Sequence, residues 1–377
     1  MKILYTATVA SHICQFHLAY LKMLQEQGNE IHVAAHNNLA QKNGLLLKYV
    51  DHFHEIPFQR SPLKPDNIKA YFKLKELIDT ERFNLIVCNT PTGGIVTRLA
   101  ARAARKHGTK VIYIAHGFHF CKGAPLKNWL LYYPVEKFMA RYCDILVTIT
   151  KEDYALASRK FHTDVRHIHG IGVSPDRYHP VSEAEQVEMR HKENLSSSDF
   201  VILCVGELNK NKNQSVLIRA TALLKEKIPN IKVLLAGNGP MEQELKSLVQ
   251  KLGVTEQIRF LGYRTDLETI TPAVDLVVSC SKREGLPLNI LEAMLCAKPV
   301  IASDNRGHRE LVQHEHNGYL TTNNNSANEL AARIEESHVQ AAQRTAMGEL
   351  GYQQVFTYLI DQVKKEYMAI VNQLVEK

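Results

Sequence analysis

The sequence predicts an α/β protein of two domains, each with a parallel β-sheet covered by helices. Short apolar segments typical of strands alternate with helical patterns along most of the chain, as expected for parallel strands joined by helical crossovers. The alternation starts again near residue 200, after a stretch of Gly, Pro and short polar residues at 170–180 that is typical of a linker. The 377 residues, 45% of them apolar, suffice for two cores. We therefore expect two Rossmann-like domains, at 1–175 and 176–354.

The first half carries five predicted strands, at 2–9, 30–35, 84–89, 110–116 and 144–149. Helices are predicted between them, one ending at Gly28 and one from about Thr92 to Lys106. The loop after the first strand, ATVASHICQFH, lies where ligands bind to such sheets, so His17 is a candidate contact on the acceptor side. This loop lacks the glycines of a dinucleotide-binding fingerprint, which makes an NAD-dependent oxidoreductase unexpected.

The second half repeats the pattern. Strand-like segments at 200–208, 231–240 and 257–263 are separated by a helical pattern from Asn213 to about Lys227 and another that ends at Leu252. The final stretch, from Tyr352 to Glu376, is also helical in pattern.

Residues 275–304, DLVVSCSKREGLPLNILEAMLCAKPVIASD, form the most informative stretch of the chain. An apolar run, a polar loop, a helical pattern and a second apolar run predict a strand–loop–helix–strand unit. Glu284 lies in the loop and Glu292 lies eight positions later in the helix. Gly285 and Pro287 allow a close turn into the helix, whose free amides favour phosphate. The unit could offer amides to a diphosphate and carboxylates to sugar hydroxyls; an ordinary helix with two solvated glutamates is the alternative.

The motif E-G-x-P-x-x-x-x-E-A-M in this stretch resembles the paired-glutamate signature of the family-four retaining glycosyltransferases. The resemblance implies the GT-B fold, in which two Rossmann-like domains with parallel sheets face each other across a cleft. It further implies that Glu284 holds donor-sugar hydroxyls and Glu292 the nucleotide ribose. The backbone of Gly285, Leu286, Pro287 and Leu288 would hold the diphosphate.

A second segment, VGELNKNKNQ, resembles the family's phosphate-binding segment, V-G-R-L followed by a lysine. Gly206 and Lys212 match, and Lys212 would neutralise the diphosphate as the sugar leaves. Glu207 stands where the family has an arginine, and a carboxylate there would repel a diphosphate. Either Lys210 or Arg283 supplies the missing charge, or the chain is a non-catalytic partner.

Weaker resemblances complete the expected donor site. Asn238 and Gly239 lie in a G-x-G-P turn like the family's turn near the nucleotide. Arg264 lies where the family's base-contacting loop runs, with a solvated surface arginine as the alternative. His116 and Gly117 resemble the H-G element beside the donor sugar, where the histidine can bond a hydroxyl; a core or surface histidine is the alternative. His119 is expected only behind this contact layer.

Charge is uneven along the chain. Residues 1–180 hold 24 Lys and Arg against 14 Asp and Glu, and residues 181–377 hold 22 against 25. The basic half indicates an anionic partner, and no motif for nucleic acid is present. Residues 122–141 place Trp129 among Lys122 and Lys127, which favours contact with an anionic membrane surface. A core-facing helix that begins near Pro134 is the alternative.

Several exclusions follow from composition. No apolar run is long enough for a transmembrane helix, and the start MKILYTATVA indicates a strand rather than a signal peptide. Seven cysteines without C-x-x-C favour a reducing cytoplasm. The pairs His167/His169 and His314/His316 lack neighbouring carboxylate or cysteine ligands, so we expect no metal and no cofactor.

The expected function is a retaining, metal-independent transfer of a sugar from a nucleoside diphosphate, for which we expect UDP, to an acceptor hydroxyl. The segment HGFHFCKGAPLKNW resembles relatives in exopolysaccharide and capsule assembly, which implies a polyprenyl-diphosphate-linked saccharide acceptor at the inner membrane face. The resemblance also implies that a last helix, about 355–377, packs back onto the first domain. A nucleotide-sugar 2-epimerase and a non-catalytic partner in polysaccharide assembly are the alternatives.

Overall fold

The computed structural model describes residues 1–41 and 45–375. These residues form two compact units. The first unit contains residues 1–172 together with the segment that begins at Ile360, and the second contains residues 173–359.

The first unit is built on a seven-stranded sheet of order β3-β2-β1-β4-β5-β6-β7, in which neighbouring strands pair in parallel. Its strands are β1 (Lys2–Val9), β2 (Glu30–His36), β3 (His52–Glu55), β4 (Leu85–Asn89), β5 (Lys110–Ala115), β6 (Ile145–Thr148) and β7 (Asp164–His167). The strand order reverses between β1 and β4, which leaves a crevice at the carboxyl edge of the sheet, the usual place for a ligand.

Helices cover this sheet. They are α1 (Ala10–Phe16), α2 (Leu18–Glu26), α3 (Asp66–Glu81), α4 (Pro91–Ala100), α5 (Arg102–Arg105), α6 (Leu126–Met139) and α7 (Lys151–Lys160). The core under α3 and α4 is apolar, with Leu74 and Ala100 packed over Ile86 of β4. Such fully buried strands are what a parallel sheet between helices requires.

The second unit has a six-stranded parallel sheet of order β10-β9-β8-β11-β12-β13. Its strands are β8 (Phe200–Val205), β9 (Ile231–Ala236), β10 (Ile258–Gly262), β11 (Leu276–Ser279), β12 (Val300–Ser303) and β13 (Gly318–Thr321). Its helices are α8 (Glu183–Lys192), α9 (Gln214–Leu224), α10 (Glu242–Leu252), α11 (Leu267–Ile270), α12 (Leu288–Leu295), α13 (Arg306–Leu311), α14 (Ala327–Val339) and α15 (Ala341–Val355). The predicted parallel α/β architecture is confirmed in both units.

The last helix of the described chain, α16 (Ile360–Val375), belongs to the first unit. The Tyr367 hydroxyl lies 2.5 Å from the Tyr5 hydroxyl of β1, and the Glu366 carboxylate accepts a hydrogen bond from the His169 amide. The prediction of one continuous helix from Tyr352 was wrong, because α15 ends at Val355 and an extended Leu359 precedes α16. The end of that prediction, Glu376, lies outside the described residues.

Other predicted helix boundaries also needed correction. The first helix is divided at His17, and the helix predicted from Thr92 to Lys106 is divided at Ala101. A helix beginning near Pro134 was wrong: α6 begins at Leu126 and contains Pro134 in its interior. Several elements were not predicted, because these short or mixed-polarity segments lack a clear apolar period: strands β3, β7 and β13 and helices α3, α7, α8, α11, α13 and α14.

Candidate functional site

Two loops meet at the carboxyl edge of the second sheet. One follows β8 and the other follows β11, and these strands are neighbours in the sheet. The Lys282 amide donates to the Asn211 carbonyl at 2.8 Å, and the Asn211 side chain donates to the Arg283 carbonyl at 3.0 Å. These two bonds bring both resemblance-derived motifs, VGELNK and EGLP, into one site.

Lys212 and Glu284 form an ion pair where the loops meet, with 2.6 Å between Nζ and Oε1. The Lys212 side chain runs over Gly206, whose φ is +154°, and a Cβ there would lie 3.1 Å from two of the Lys212 methylenes. Burial alone would raise the pKa of Glu284, but the Lys212 ammonium outweighs burial and lowers the pKa of this carboxyl. Glu284 is therefore ionised at neutral pH, with the ammonium held beside it.

Helix α13 supports the Glu284 loop from the side of β12. The Arg306 Nη2 donates to the Glu284 carbonyl at 2.8 Å. Gly307 lies directly against the same loop, and a Cβ added there would stand 2.1 Å from the Gly285 carbonyl oxygen. Neither residue was predicted from the sequence; the available signal was the segment DNRGH, which follows a buried strand at the same sheet edge.

His308 ties the two strands under the site together. Its Nδ1 donates to the Ser303 carbonyl at 2.5 Å, and its Nε2 accepts from the Ser279 hydroxyl at 3.0 Å. Burial lowers the pKa of His308 to about 4, so the imidazole is neutral. These two hydrogen bonds join the ends of β11 and β12, where the loops that follow these two strands leave the sheet.

The start of α12 faces the same edge. Pro287 is its N-cap residue, and the Pro287 carbonyl accepts from the Ile290 amide at 3.2 Å, so Leu288 and Asn289 carry the first-turn amides that have no partner within the helix. No side chain in the described ranges caps this end. Gly285 and Leu286 are half-buried in the loop before it. Glu284 in the loop and Glu292 in α12 thus lie where the sequence predicted them.

Glu292 is half-buried on α12, near the Tyr178 side chain and the Arg177 guanidinium. Burial raises the pKa of Glu292 to about 7, although Arg177 and Tyr178 oppose this shift. The carboxyl is therefore near its titration midpoint at neutral pH, unlike Glu284. A group in that state can both donate to and accept from a ligand hydroxyl.

Glu207 has a different partner from the ones expected. It is exposed, and its carboxylate accepts a hydrogen bond from the Asn209 side chain at 2.9 Å. Lys210 and Arg283 are also exposed, and among the described residues neither forms an ion pair with Glu207. The replacement of the family's arginine therefore has no direct counter-charge in the structure.

The remaining predicted donor residues lie on two further loops of this unit. The Asn238 carbonyl accepts from the Leu208 amide at 3.0 Å, so the turn with Gly239 lies beside the loop after β8. Arg264 bonds the carboxylates of Asp266 and Glu193, at 2.7 and 2.8 Å. The hydrogen bond to Asp266, and after it the one to Glu193, raises the pKa of Arg264 above its usual range. Contacts of either loop with a nucleotide stay predictions.

The carboxyl edge of the first sheet holds a group of histidines. His116 follows β5 and its Nε2 donates to the Asn89 side chain at 3.1 Å. The His12 Nε2 lies 3.4 Å from the His116 Nε2, and the centroid of the His17 ring is 5.3 Å from that of the His116 ring. His17 and His116 were predicted from the sequence, whereas His12 and Asn89, which reach this point from α1 and β4, were not.

These histidines are uncharged. Burial lowers the pKa of His116 to about 4 and lowers the pKa values of His12 and His17 well below the usual value. His17 is 1% exposed, and its Nε2 lacks a hydrogen-bond partner among the described residues. The group offers neutral donors and acceptors, which suit hydroxyl groups better than phosphate charge.

Two groups of the described residues have metal-ligand atoms within 4.8 Å of one another: His12/His17/His116 and Glu30/His32/His52. In both groups, hydrogen bonds within the protein already engage some of these atoms. Of the histidine pairs in the sequence, His169 bonds Glu366 and His314 accepts from the Leu320 amide. The absence of a required metal stays a prediction.

Helix α6 presents an apolar outer face. Leu126, Leu130 and Leu131 are 73%, 68% and 63% exposed, whereas Trp129 is half-buried and packs against Phe120 of the core. Lys127 is exposed on the same helix. Lys122 is exposed in the loop before it, and the His119 ring packs at a tilt against Tyr132 with ring centroids 4.7 Å apart. Among the described helices none has the length and apolarity to cross a bilayer.

Family models match both halves of the chain. The model for glycosyl transferases of group 1 matches residues 185–354, and a glycosyl transferase 4-like model matches residues 2–150.

Relatives of known name agree with these matches. The chain is 48% identical to the putative glycosyltransferase EpsD of Bacillus subtilis, over 89% of this chain and 87% of EpsD. It is 28% identical to the Escherichia coli UDP-Gal:alpha-D-GlcNAc-diphosphoundecaprenol alpha-1,3-galactosyltransferase, over 75% of each chain. In structure it resembles Anabaena HepE, solved in complex with UDP and glucose, with a TM-score of 0.81, 21% identity, and coverage of 99% of this chain and 100% of HepE. The GT-B fold expected from the sequence is confirmed.

Proposed function

The chain belongs to the glycosyltransferases of group 1, and from that premise we propose that it transfers a hexose or N-acetylhexosamine from a UDP-sugar to a lipid-linked saccharide, with retention of anomeric configuration. The reaction would serve exopolysaccharide or capsule assembly. The second unit would bind the donor and the first unit the acceptor.

The Lys212–Glu284 ion pair, at 2.6 Å, is the observation that carries this proposal. When the bond between the anomeric carbon and the diphosphate breaks, negative charge builds up on the leaving oxygen. A fixed ammonium and the amides at the start of α12 would stabilise that charge. Glu284, held ionised by Lys212, would accept hydrogen bonds from hydroxyls of the donor sugar.

No divalent metal is needed for this role, because Lys212 and the α12 amides would supply the positive charge. Glu292, with its pKa near 7, would bond the ribose hydroxyls. Two proteins that this chain resembles support UDP as the nucleotide of the donor. HepE was solved with UDP, and the name of the E. coli enzyme specifies UDP-Gal.

The proposed acceptor is a saccharide on polyprenyl diphosphate. The name of the E. coli relative specifies a diphosphoundecaprenol-linked acceptor. The 48% identity to EpsD supports glycosyl transfer itself. The neutral His116 and His17 would contact acceptor or sugar hydroxyls. The exposed leucines of α6, with Lys122 and Lys127 nearby, would place the first unit on an anionic membrane from the cytoplasmic side.

The decisive experiment measures release of nucleoside diphosphate from a panel of nucleotide sugars, without acceptor and with synthetic lipid-diphosphate saccharides. We expect release with a UDP-sugar that depends on acceptor and is lost in Glu284→Ala. The matched control is Glu242→Ala, which removes another glutamate paired to a lysine, Lys246, at 2.6 Å on the exposed helix α10. Equal release by wild type and Glu284→Ala would contradict the proposal.

Two other functions are outcomes of the same assay. Glu207 in place of the family's arginine, without a counter-charge, favours a non-catalytic partner, which would bind donor without any turnover. A 2-epimerase would convert the donor without acceptor. Glu207→Arg sharpens the first case: a large gain in rate would show that Lys210 and Arg283 do not replace the missing charge.

A further inference from the structure

We propose that the first half of α3 and the loop before it form a second element that binds the anionic membrane surface, beside α6. This inference rests on the membrane contact in the proposed function and extends it to a part of the chain with no motif. The two elements lie on the same unit and have the same surface chemistry.

The apolar residues of this element are exposed to an unusual degree. Leu63 in the loop is 92% exposed, and Ile68 and Phe72 on α3 are 62% and 63% exposed. Ile68 and Phe72 are four positions apart, so they lie one turn above each other on the same side of the helix. The opposite side of α3 is buried through Ala70, Leu74 and Ile78, so the exposed residues are not needed for the core.

Basic residues surround this apolar stripe. Arg60 and the exposed Lys64, Lys69 and Lys73 lie within the same 14-residue stretch, against a single acidic residue, Asp66. The rest of α3 is acidic on balance, because it carries Glu76, Asp79 and Glu81 against one lysine, Lys75, which pairs with Asp79. Exposed apolar side chains flanked by lysines match the boundary between acyl chains and anionic headgroups, and this match identifies the occupant as an anionic lipid surface rather than a protein.

The position of this half-helix relates it to the site. The chain enters α3 from the carboxyl end of β3, and the Asn67 side chain bonds the Gln59 amide and the Ser61 carbonyl, which fixes the loop against the first turn. The Arg60 carbonyl accepts from the Thr92 hydroxyl at the start of α4, next to β4. The basic and apolar end of α3 is thus anchored at the sheet edge that also carries His116.

Helix α6 has the same arrangement. It also begins after the carboxyl end of a strand, β5, and its exposed Leu126 lies in its first turn. Both helices pack onto the same core with α4 between them: α3 contributes Leu74, and α6 packs Trp129 and Tyr133 against it. Two exposed apolar and basic elements at one edge would orient that edge, and with it the acceptor site, toward the lipid.

The test uses sedimentation of the full chain with vesicles of phosphatidylglycerol or phosphatidylcholine. In the variant L63S/I68S/F72S we expect the apparent affinity for phosphatidylglycerol vesicles to fall at least about tenfold. In K64E/K69E/K73E we expect loss of the preference for the anionic lipid. The matched control is Val339→Ser, which removes a side chain 74% exposed on α14 of the second unit. Activity on a water-soluble acceptor reports folding and should stay at the wild-type rate in all variants.

Unchanged vesicle affinity in both α3 variants would overturn the inference. If L126S/L130S on α6 then weakened binding, the proposed function would stand without α3. If wild type bound no vesicles, both membrane assignments would fail, while the donor assay would still decide the transferase activity.

Discussion

The carboxyl edges of the two sheets differ in the charge of the side chains that they carry. At the carboxyl edge of the second unit, an ammonium and an ionised carboxylate lie 2.6 Å apart, half-buried in a site with free helix amides. At the corresponding edge of the first unit, three imidazoles with lowered pKa values lie together, and one of them, His116, donates to an asparagine. Each edge thus has a preorganised polar group, but only the second offers fixed charge.

In the proposed reaction, this difference would separate two tasks. Charge develops on a leaving diphosphate, so a charged pair is useful there, and its advantage is large because it is fixed before the reaction. Hydroxyl groups of a sugar or acceptor need donors and acceptors without net charge, which neutral histidines supply. The predictions below test this division.

The largest expected effect is that of Lys212→Ala. Removal of the ammonium beside Glu284 should lower kcat by about 10²- to 10³-fold, or roughly 3–4 kcal/mol, the typical cost of one fixed donor at a developing charge. Steady-state kinetics with the identified donor would measure it. Lys246→Ala, which breaks the surface pair on α10, should leave kcat within about twofold; an equal loss there would show a general effect on folding.

Glu292 gives a prediction on stability. Its folded pKa of about 7 lies above the usual carboxyl value of 4.5, so the native state binds the proton more tightly than the unfolded chain. The free energy of unfolding should therefore fall between about pH 4.5 and pH 7, by up to about 3 kcal/mol, as the buried carboxyl ionises.

The variant Glu292→Gln isolates this contribution. Relative to wild type it should gain stability as pH rises from 5 to 8 in urea titrations, while it loses affinity for the donor. If the difference in the free energy of unfolding between wild type and variant does not change with pH, the raised pKa of Glu292 is contradicted.

Gly307→Ala tests whether the Glu284 loop must be held in place. The added Cβ would meet the Gly285 carbonyl at 2.1 Å, so the loop or α13 must shift. We expect kcat to fall about tenfold or more, since small displacements of a catalytic group are costly. Arg306→Ala should act in the same direction, because it removes the bond to the Glu284 carbonyl. Arg309→Ala is the control on the same helix, since its guanidinium pairs with Asp304.

At the first edge, His116→Ala should cost about tenfold in kcat/KM, the value of roughly one hydrogen bond to an uncharged partner. The pKa of His116 near 4 adds a second expectation: the imidazole stays neutral above about pH 5, so activity should show no acid limb from this residue between pH 5 and 8. A His116-dependent fall in rate centred near pH 6.5 would contradict the neutral assignment. His162→Ala, a histidine outside the cluster, serves as control.

The smallest expected effect is that of metal removal. Because Lys212 and the α12 amides are expected to supply the positive charge, dialysis against a chelator should leave the rate within about twofold. Restoration by Zn²⁺ or Mg²⁺ of a rate lost on chelation would show that a metal site, for which His12, His17 and His116 are candidates, takes part.

The sequence predicted local features of the site well and distant ones poorly. Glu284, Pro287 and Glu292 lie in one contiguous motif, so their placement before and within α12 could be derived from spacing. Arg306 and Gly307 reach the loop only because β12 pairs with β11, and His12 reaches His116 from 104 positions away. Such contacts depend on strand pairing, which a single sequence specifies only weakly.

The surface of the first unit was harder still. The leucines of α6 have the composition of a core helix, and only the fold shows that they point outward while Trp129 and Tyr133 pack inward. Helix α3 mixes lysines with apolar residues on its exposed side, which hides the apolar period of its buried side.

The most direct test of the central claim is the affinity of the protein for UDP, measured by calorimetry for wild type, Lys212→Ala and His116→Ala. The account predicts that Lys212→Ala weakens binding at least about tenfold, because a diphosphate loses its fixed counter-charge, whereas His116→Ala leaves it within about twofold. Equal affinities of wild type and Lys212→Ala would contradict the assignment of the diphosphate site to the second unit.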